Sequence, residues 1–377
     1  MKHSTSGNII TGMFFTLLIL LTMSFAACTE EKNEGDRENN PYIVELGESL
    51  NKLQDLRDNS QYGDRKGMYP PESKSILEDV MAEIGQVIMN IYSGEEANPT
   101  QDKITQLAAK ADQAETNFKA TVLTENTLYP AELYVNGNDG GYIDFGTSDD
   151  YIKFGEPGKR AFTVELWLKF KTIPGGIGAV ISTFVEDSGV RCGWMVNMIS
   201  GNYLRITYAQ KEKDKLWEPG DGFAQTETWV HVAAVYDDNG VDGSIENGKP
   251  VVAKYYVNGV LKNKVVNGET YSGNYYGGND NALPSLPMIA FAQFNKDGSQ
   301  TRKSQGYIKD FHIWKTAKSE NEINKLMDGT TQVTGEETDL ACGWEFTMTA
   351  DDDNNIKDIT GKHTAVLKGK FEWERLD

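Results

Sequence analysis

The sequence predicts a mainly β protein, a β-sandwich preceded by a small α-helical bundle. Between Pro41 and about Val122 apolar residues recur every three or four positions, whereas after Leu128 they alternate singly. Gly and turn dipeptides also become frequent after Leu128, cutting the remainder into about a dozen short strand candidates. A length of 377 residues suits two domains. The formal charge of −19, from 37 Lys+Arg against 56 Asp+Glu, argues against a nucleic-acid partner, which would need clustered cations. Four His and three Cys leave little material for a zinc site or a heme.

The first element is an export leader. Met13–Met23 is almost wholly apolar but too short to cross a hydrocarbon core of about 30 Å as a helix. Phe25-Ala26-Ala27-Cys28 then resembles a bacterial lipobox, although Leu is more usual at its first position. That resemblance implies removal of residues 1–27 and acylation of Cys28, with two or more chains forming a stable anchor. Residues 28–40 read as a flexible tether. The acidic run Thr29–Glu34 is similar to the signal that places some lipoproteins on the outer face of the outer membrane. The expected location is therefore the cell surface, with membrane contact only through the lipid.

Residues 41–127 read as a three-helix bundle, a spacer or docking module. Ile43, Leu46, Leu50, Leu53 and Leu56 form a stripe ending near Asn59. A broader stripe from Ile76 to Ile91 follows Pro70-Pro71 and stops at Ser93-Gly94. Ile104 to Val122 forms the third stripe, opened by Asn98-Pro99-Thr100.

Residues 128–377 read as the sandwich. Phe162, Val164, Leu166, Leu168 and Phe170 share one face of a strand, with Thr163, Glu165, Trp167 and Lys169 on the other. Asn258-Gly259 marks a hairpin with a type I′ turn. Other strand candidates are 142–145, 151–154, 178–184, 194–199, 203–209, 229–236, 287–292, 306–314, 341–346 and 364–373, with a brief helix near 319–327.

Several stretches together resemble the laminin-G-like, concanavalin-A-like jelly roll. They are Gly141–Gly146 with Asp149–Ile152, Phe162–Lys169, Trp229–Ala233 with Tyr256–Gly259, and Gly306–Trp314 ahead of Ser319–Ile323. The resemblance implies a scaffold whose relatives bind glycans, bind proteins or hydrolyse β-glucans. Retaining hydrolysis needs two carboxylates about 5–5.5 Å apart, as alternating acids on one strand would supply. No Glu-x-Asp-x-Glu run occurs, and His231, His312 and His363 each stand singly in strand-like text. No catalytic residue is assigned.

Trp167, Trp229, Trp314 and Trp344 match structural positions of the family and read mainly as packing, with Trp167 off the apolar face of its strand. The binding candidates are instead aromatics and amides in Gly-rich loops: Trp217, Tyr271, Tyr275, Tyr276, Asn279 and Asp280. A sugar ring packs its C–H face on such rings, and its hydroxyls seek Asn, Asp and backbone partners. Calcium is a possible but not a required ligand, with Asp139, Asp149, Asp150 and Asp310 as candidate oxygen donors. Cys192 and Cys342 read as two buried thiols ahead of a disulfide. The leading expectation is a non-catalytic carbohydrate-binding surface lipoprotein that assists polysaccharide capture. A protein-interaction or assembly lipoprotein and a glycoside hydrolase are the alternatives.

Overall fold

The computed structural model describes residues 40–95, 99–187, 190–199, 202–210, 213–217, 224–266, 271, 275–276, 279–282, 286–350 and 354–376. The expected leader, Cys28 and all of the tether before Asn40 lie outside them. The chain divides into two compact units, one ending at Thr127 and one beginning at Leu128.

The first unit holds α1 (Pro41–Asn59), α2 (Lys74–Ser93) and α3 (Gln101–Lys119). Side chains of Asn40 and Thr100 accept the backbone N–H of Tyr42 and Lys103, capping α1 and α3. Gly94 ends α2 at φ 81°, a left-handed conformation that costs glycine little. One stripe from each helix meets the others around Leu46, Leu53, Leu77, Ile84, Ile104, Leu107 and Phe118. Among the described residues no helix is long and apolar enough to cross a membrane.

The second unit is a β-sandwich. Sheet I has ten strands, ordered Ile245–Glu246, Lys249–Val257, Trp229–Asp237, Ala161–Phe170, Gln305–Trp314, Tyr129–Asn136 and Met348–Thr349. Val260–Val266, Leu340–Trp344 and Phe371–Arg375 pair along its branches. Sheet II has eight strands, ordered Asn355–Lys357, Thr364–Lys368, Tyr142–Asp144, Ile289–Ala290, Gly178–Ser182, Trp194–Ile199, Tyr203–Gln210 and Lys213–Trp217. The alternation read from the sequence fills the space between them: Val164, Leu166 and Leu168 meet Val196, Leu204 and Ile206.

The opposite alternation places Thr163, Glu165, Trp167 and Lys169 on the outer face of sheet I. A short helix, α4 (Glu320–Met327), opens with a Ser319/Glu322 capping box and covers part of that face. Its Ile323 packs with Ala233, Val235 and Tyr256. Beside it the Asn258-Gly259 turn has positive φ at both residues (47° and 73°), as a type I′ turn requires.

Three strand expectations are corrected. Residues 151–154 are not a strand: Asp149–Tyr151 is a 3₁₀ turn capped by the Ser148 hydroxyl. Tyr151 turns inward there, donating its hydroxyl to the Phe145 carbonyl at 3.1 Å. Residues 364–373 form two strands in different sheets, broken at Gly369, whose φ is 69°. A Cβ at Gly369 would lie 2.1 Å from the Gly140 carbonyl oxygen, so only glycine fits this crossing. Tyr129–Asn136, absent from the expected strands, is a full strand of sheet I.

Candidate functional site

The uncovered part of the outer face of sheet I is the best-defined candidate surface. Register places His231, Trp167 and Lys309 in one row across three strands, and Trp229, Lys169, Tyr307 and Tyr134 in the next across four. Trp167, Trp229 and Tyr134 are half-buried, so part of each ring meets solvent, while Tyr307 is buried beneath its neighbours. Tyr134 and Tyr307 lie 5.3 Å apart between ring centroids, and Tyr307 meets Trp229 edge-on at 6.4 Å.

Polar side chains fix these rings. Glu132 accepts the Trp229 indole N–H at 3.1 Å with one carboxylate oxygen and the Lys169 ammonium at 2.5 Å with the other. Burial alone would raise the Glu132 carboxyl, but those two bonds hold it below the usual carboxylate range. The Tyr307 hydroxyl donates to Glu374 (2.9 Å) and accepts from Lys171 (3.3 Å). The Tyr134 hydroxyl donates to Gln305 at 2.9 Å. Lysine ammonium groups are threaded among the rings. Lys169 lies 4.1 Å from the Tyr307 centroid, Lys171 lies 4.6 Å from Tyr134, and Lys309 lies 4.7 Å from Trp229. The result is a held arrangement of partly exposed rings edged by hydrogen-bonding groups.

On the same strands, the part of this face nearer α4 is closed. Glu165 is 2% exposed and lies between two buried histidines. Its Oε2 meets His231 Nε2 at 2.8 Å and its Oε1 meets His312 Nδ1 at 2.5 Å. Burial opposes ionisation of Glu165, yet the fields and hydrogen bonds of His312 and His231 push its pKa well below the ordinary carboxylate value. His312 moves up despite its burial, because Glu165 favours the imidazolium. His312 reaches this face through a bulge: Asp310 takes φ 47°, so Ile308, Phe311 and Ile313 all point into the core. The histidines are thus partners of a buried carboxylate. His363 is a third, partly buried case, 3.3 Å from Asp150.

The aromatic residues expected in loops divide. Trp217 ends the edge strand Lys213–Trp217, correcting the expectation that it lies in a loop, and stands in register opposite the core residue Ile206. Tyr275–Tyr276 pairs with Asn279–Ala282 as a small hairpin. Both segments abut the strand Val190–Cys192, so the backbone brings Trp217, Tyr275, Tyr276, Asn279 and Asp280 to one neighbourhood. The side chains of those five residues lie outside the described part of the structure. Tyr271 is a correction. It is fully buried, with Phe162, Phe154 and Tyr236 within 6.1 Å of its ring, and its backbone N–H donates to the Tyr236 hydroxyl at 2.6 Å. A ring enclosed this way cannot stack on a ligand.

Sequence reasoning also undervalued Trp167 and Trp229. Trp314 and Trp344 are buried packing residues, as expected. Trp167 and Trp229 belong to the outer, partly open face, and the off-face position of Trp167 was the available signal. Among the described residues no three His, Cys, Asp or Glu side chains converge to hold a metal ion. Asp149 bonds Lys153 and Asp150 pairs with Lys315, while Asp139 accepts from Asn136. Cys192 and Cys342 are free, buried thiols.

These features define a jelly-roll domain with an aromatic, hydrogen-bonding outer face. Residues 145–324 match a laminin-G family described as the concanavalin A-like lectin/glucanases superfamily, and the sandwich carries a domain of that kind. Residues 41–122, the helical unit, match a family described as a domain of unknown function, DUF4972. Similar solved structures include a candidate carbohydrate-binding protein from Bacteroides ovatus, at 18% identity and TM-score 0.45, covering 67% of this chain and 62% of that one. They also include a heptameric SAP-like pentraxin from Limulus polyphemus, at 11% identity and TM-score 0.38, covering 66% and 95%. A third is the CBM40 of a Ruminococcus gnavus IT-sialidase bound to α2,3-sialyllactose, at 11% identity and TM-score 0.37, covering 53% and 97%. This chain therefore spans less than two thirds of the Bacteroides ovatus protein. No curated protein matches it.

Proposed function

We propose that this chain is a non-catalytic carbohydrate-binding lipoprotein of the cell surface that captures polysaccharide. The supporting observation is the open part of sheet I, where the partly exposed rings of Trp167 and Trp229 lie beside fixed hydrogen-bonding groups. Sugar rings would stack on the indoles, and their hydroxyls would bond to neighbouring polar side chains. Glu132 and Glu374 sit opposite each other across adjacent strands, but Lys169, Trp229, Lys171 and Tyr307 engage their oxygens. Their role in this reading is to orient rings. The lipobox at Cys28 and the acidic residues behind it support an outer-membrane anchor and outward exposure, with the helical unit as spacer. Trp217, Tyr275, Tyr276, Asn279 and Asp280 form a second candidate contact region.

The test is affinity electrophoresis and calorimetry of the full mature chain, carrying Cys28→Ser, against a broad polysaccharide panel. Binding should fall between millimolar and micromolar, about −4 to −8 kcal/mol. Trp167→Ala and Trp229→Ala should each weaken it about tenfold while thermal unfolding stays cooperative. Failure of every polysaccharide to bind would favour a protein-interaction role.

A further inference from the structure

Resting on that reading of the same face, we infer that it selects anionic saccharides, pyranose chains carrying a carboxylate or a sulfate, and that Lys309 is the residue that selects them. The three lysines of the face differ in one respect. Lys169 has Glu132 as its ion-pair partner, and Lys171 has Glu374. The Lys309 side chain makes no ion pair and no hydrogen bond among the described residues. Its ammonium instead lies between two indoles, 4.7 Å from the Trp229 centroid and 5.7 Å from that of Trp167.

The acids near Lys309 do not neutralise it. Glu132 feels its field but commits one oxygen to Lys169 and the other to the Trp229 indole. Asp310 is next in sequence, and its burial disfavours the anion and raises its carboxyl despite the opposing field of Lys309. At a partly exposed site a hydrogen bond to an ionised partner is stronger than the contact of a cation with an aromatic face. An anionic group arriving at Lys309 therefore gains more than the ring contacts it displaces.

Position supplies the specificity. Lys309 follows Trp167 in one cross-strand row and contacts Trp229 of the next, so a pyranose on either indole would bring an acidic substituent within reach of its ammonium. A neutral sugar could use the rings but would leave the ammonium without a counter-charge. The surrounding protein carries a formal charge of −19, so its long-range field opposes anions, and a local unpaired cation is what attraction here requires.

The experiment is calorimetry of the full mature chain with Cys28→Ser at low and high salt. Polygalacturonate supplies carboxylates, chondroitin sulfate supplies sulfate as well, and xyloglucan serves as the neutral comparison. Binding to at least one anionic polymer should exceed that to xyloglucan by about tenfold at low salt and weaken as salt rises. Lys309→Met keeps most of the apolar stem and removes the charge, and it should erase that preference by weakening the anionic polymer far more than xyloglucan. Preference for polygalacturonate would assign a carboxylate ligand, and preference for chondroitin sulfate alone a sulfate. Equal affinity for neutral and anionic polymers, or an anionic preference that survives Lys309→Met, would overturn the inference. Polysaccharide binding that persists in Trp167→Ala/Trp229→Ala would instead overturn the underlying assignment of the face, and with it this inference.

Discussion

The two halves of the outer face of sheet I are built on the same strands and differ in what covers them. Near α4, Glu165 stands between His231 and His312 with almost no solvent contact. One step along, Trp167 and Lys309 occupy the equivalent face with each side chain only partly buried. The covered half must match every charge, because an ionised group without a partner is costly in a dry setting. The open half can leave the Lys309 ammonium on aromatic rings, because water still reaches it. The contrast separates structural charge from charge available to a ligand, although both arise from one alternating pattern.

The largest expected effect belongs to the covered half. Glu165→Leu should cost about 3–5 kcal/mol in chemical denaturation, since it strips two buried imidazoles of their partner. A cost below about 1 kcal/mol would show that solvent reaches this cluster. Gly343→Ala should come next, at about 1–3 kcal/mol, because a Cβ there would approach His312 Cδ2 to 2.5 Å. Lys169→Met should cost less, about 1 kcal/mol or under, as it breaks a partly exposed ion pair with Glu132.

The covered half should also respond to pH, with signs fixed by its two partners. Glu165 has a folded pKa below its ordinary 4.5, so its stabilisation is present above 4.5 and is lost as pH falls through the folded value. His312 has a folded pKa above its ordinary 6.5, so its stabilisation is complete below 6.5 and is lost as pH rises through the folded value. The pair should therefore contribute most between pH 4.5 and 6.5. Subtracting the stability profile of Glu165→Gln from that of the native chain should show a maximum there. A flat difference would mean that Glu165 and His312 are not coupled as described. Asp310, Glu345 and Lys309 also act on this cluster, so the difference profile is a better readout than the native curve alone.

Much of the fold was legible because periodicity is local. Three helical stripes and the inward residues of Phe162–Phe170 could be read directly, and so could the Asn258-Gly259 turn. The bulge at Asp310 was hidden, because Lys309-Asp310 reads as an ordinary polar break between Ile308 and Phe311 and leaves no composition signal. Tyr129–Asn136 was missed although Ala131, Leu133 and Val135 alternate inward, its pattern following directly on the helical module. The candidate site was less legible still. Trp167, Trp229 and Lys309 lie 62 residues or more apart on three strands, and only sheet register brings them together. Tyr271 shows the reverse: an aromatic in a Gly- and Asn-rich segment reads as a loop contact until the core is seen to enclose it.

The most direct test sets the open face against the second candidate region on one polysaccharide. Calorimetry would compare the full mature chain with Trp167→Ala/Trp229→Ala and with Trp217→Ala/Tyr275→Ala/Tyr276→Ala, each checked for cooperative unfolding. The open-face variant should lose at least about tenfold in affinity while the other retains most of its binding. Unchanged binding by the open-face variant, with loss in the other, would contradict the assignment and move the site to the edge of sheet II.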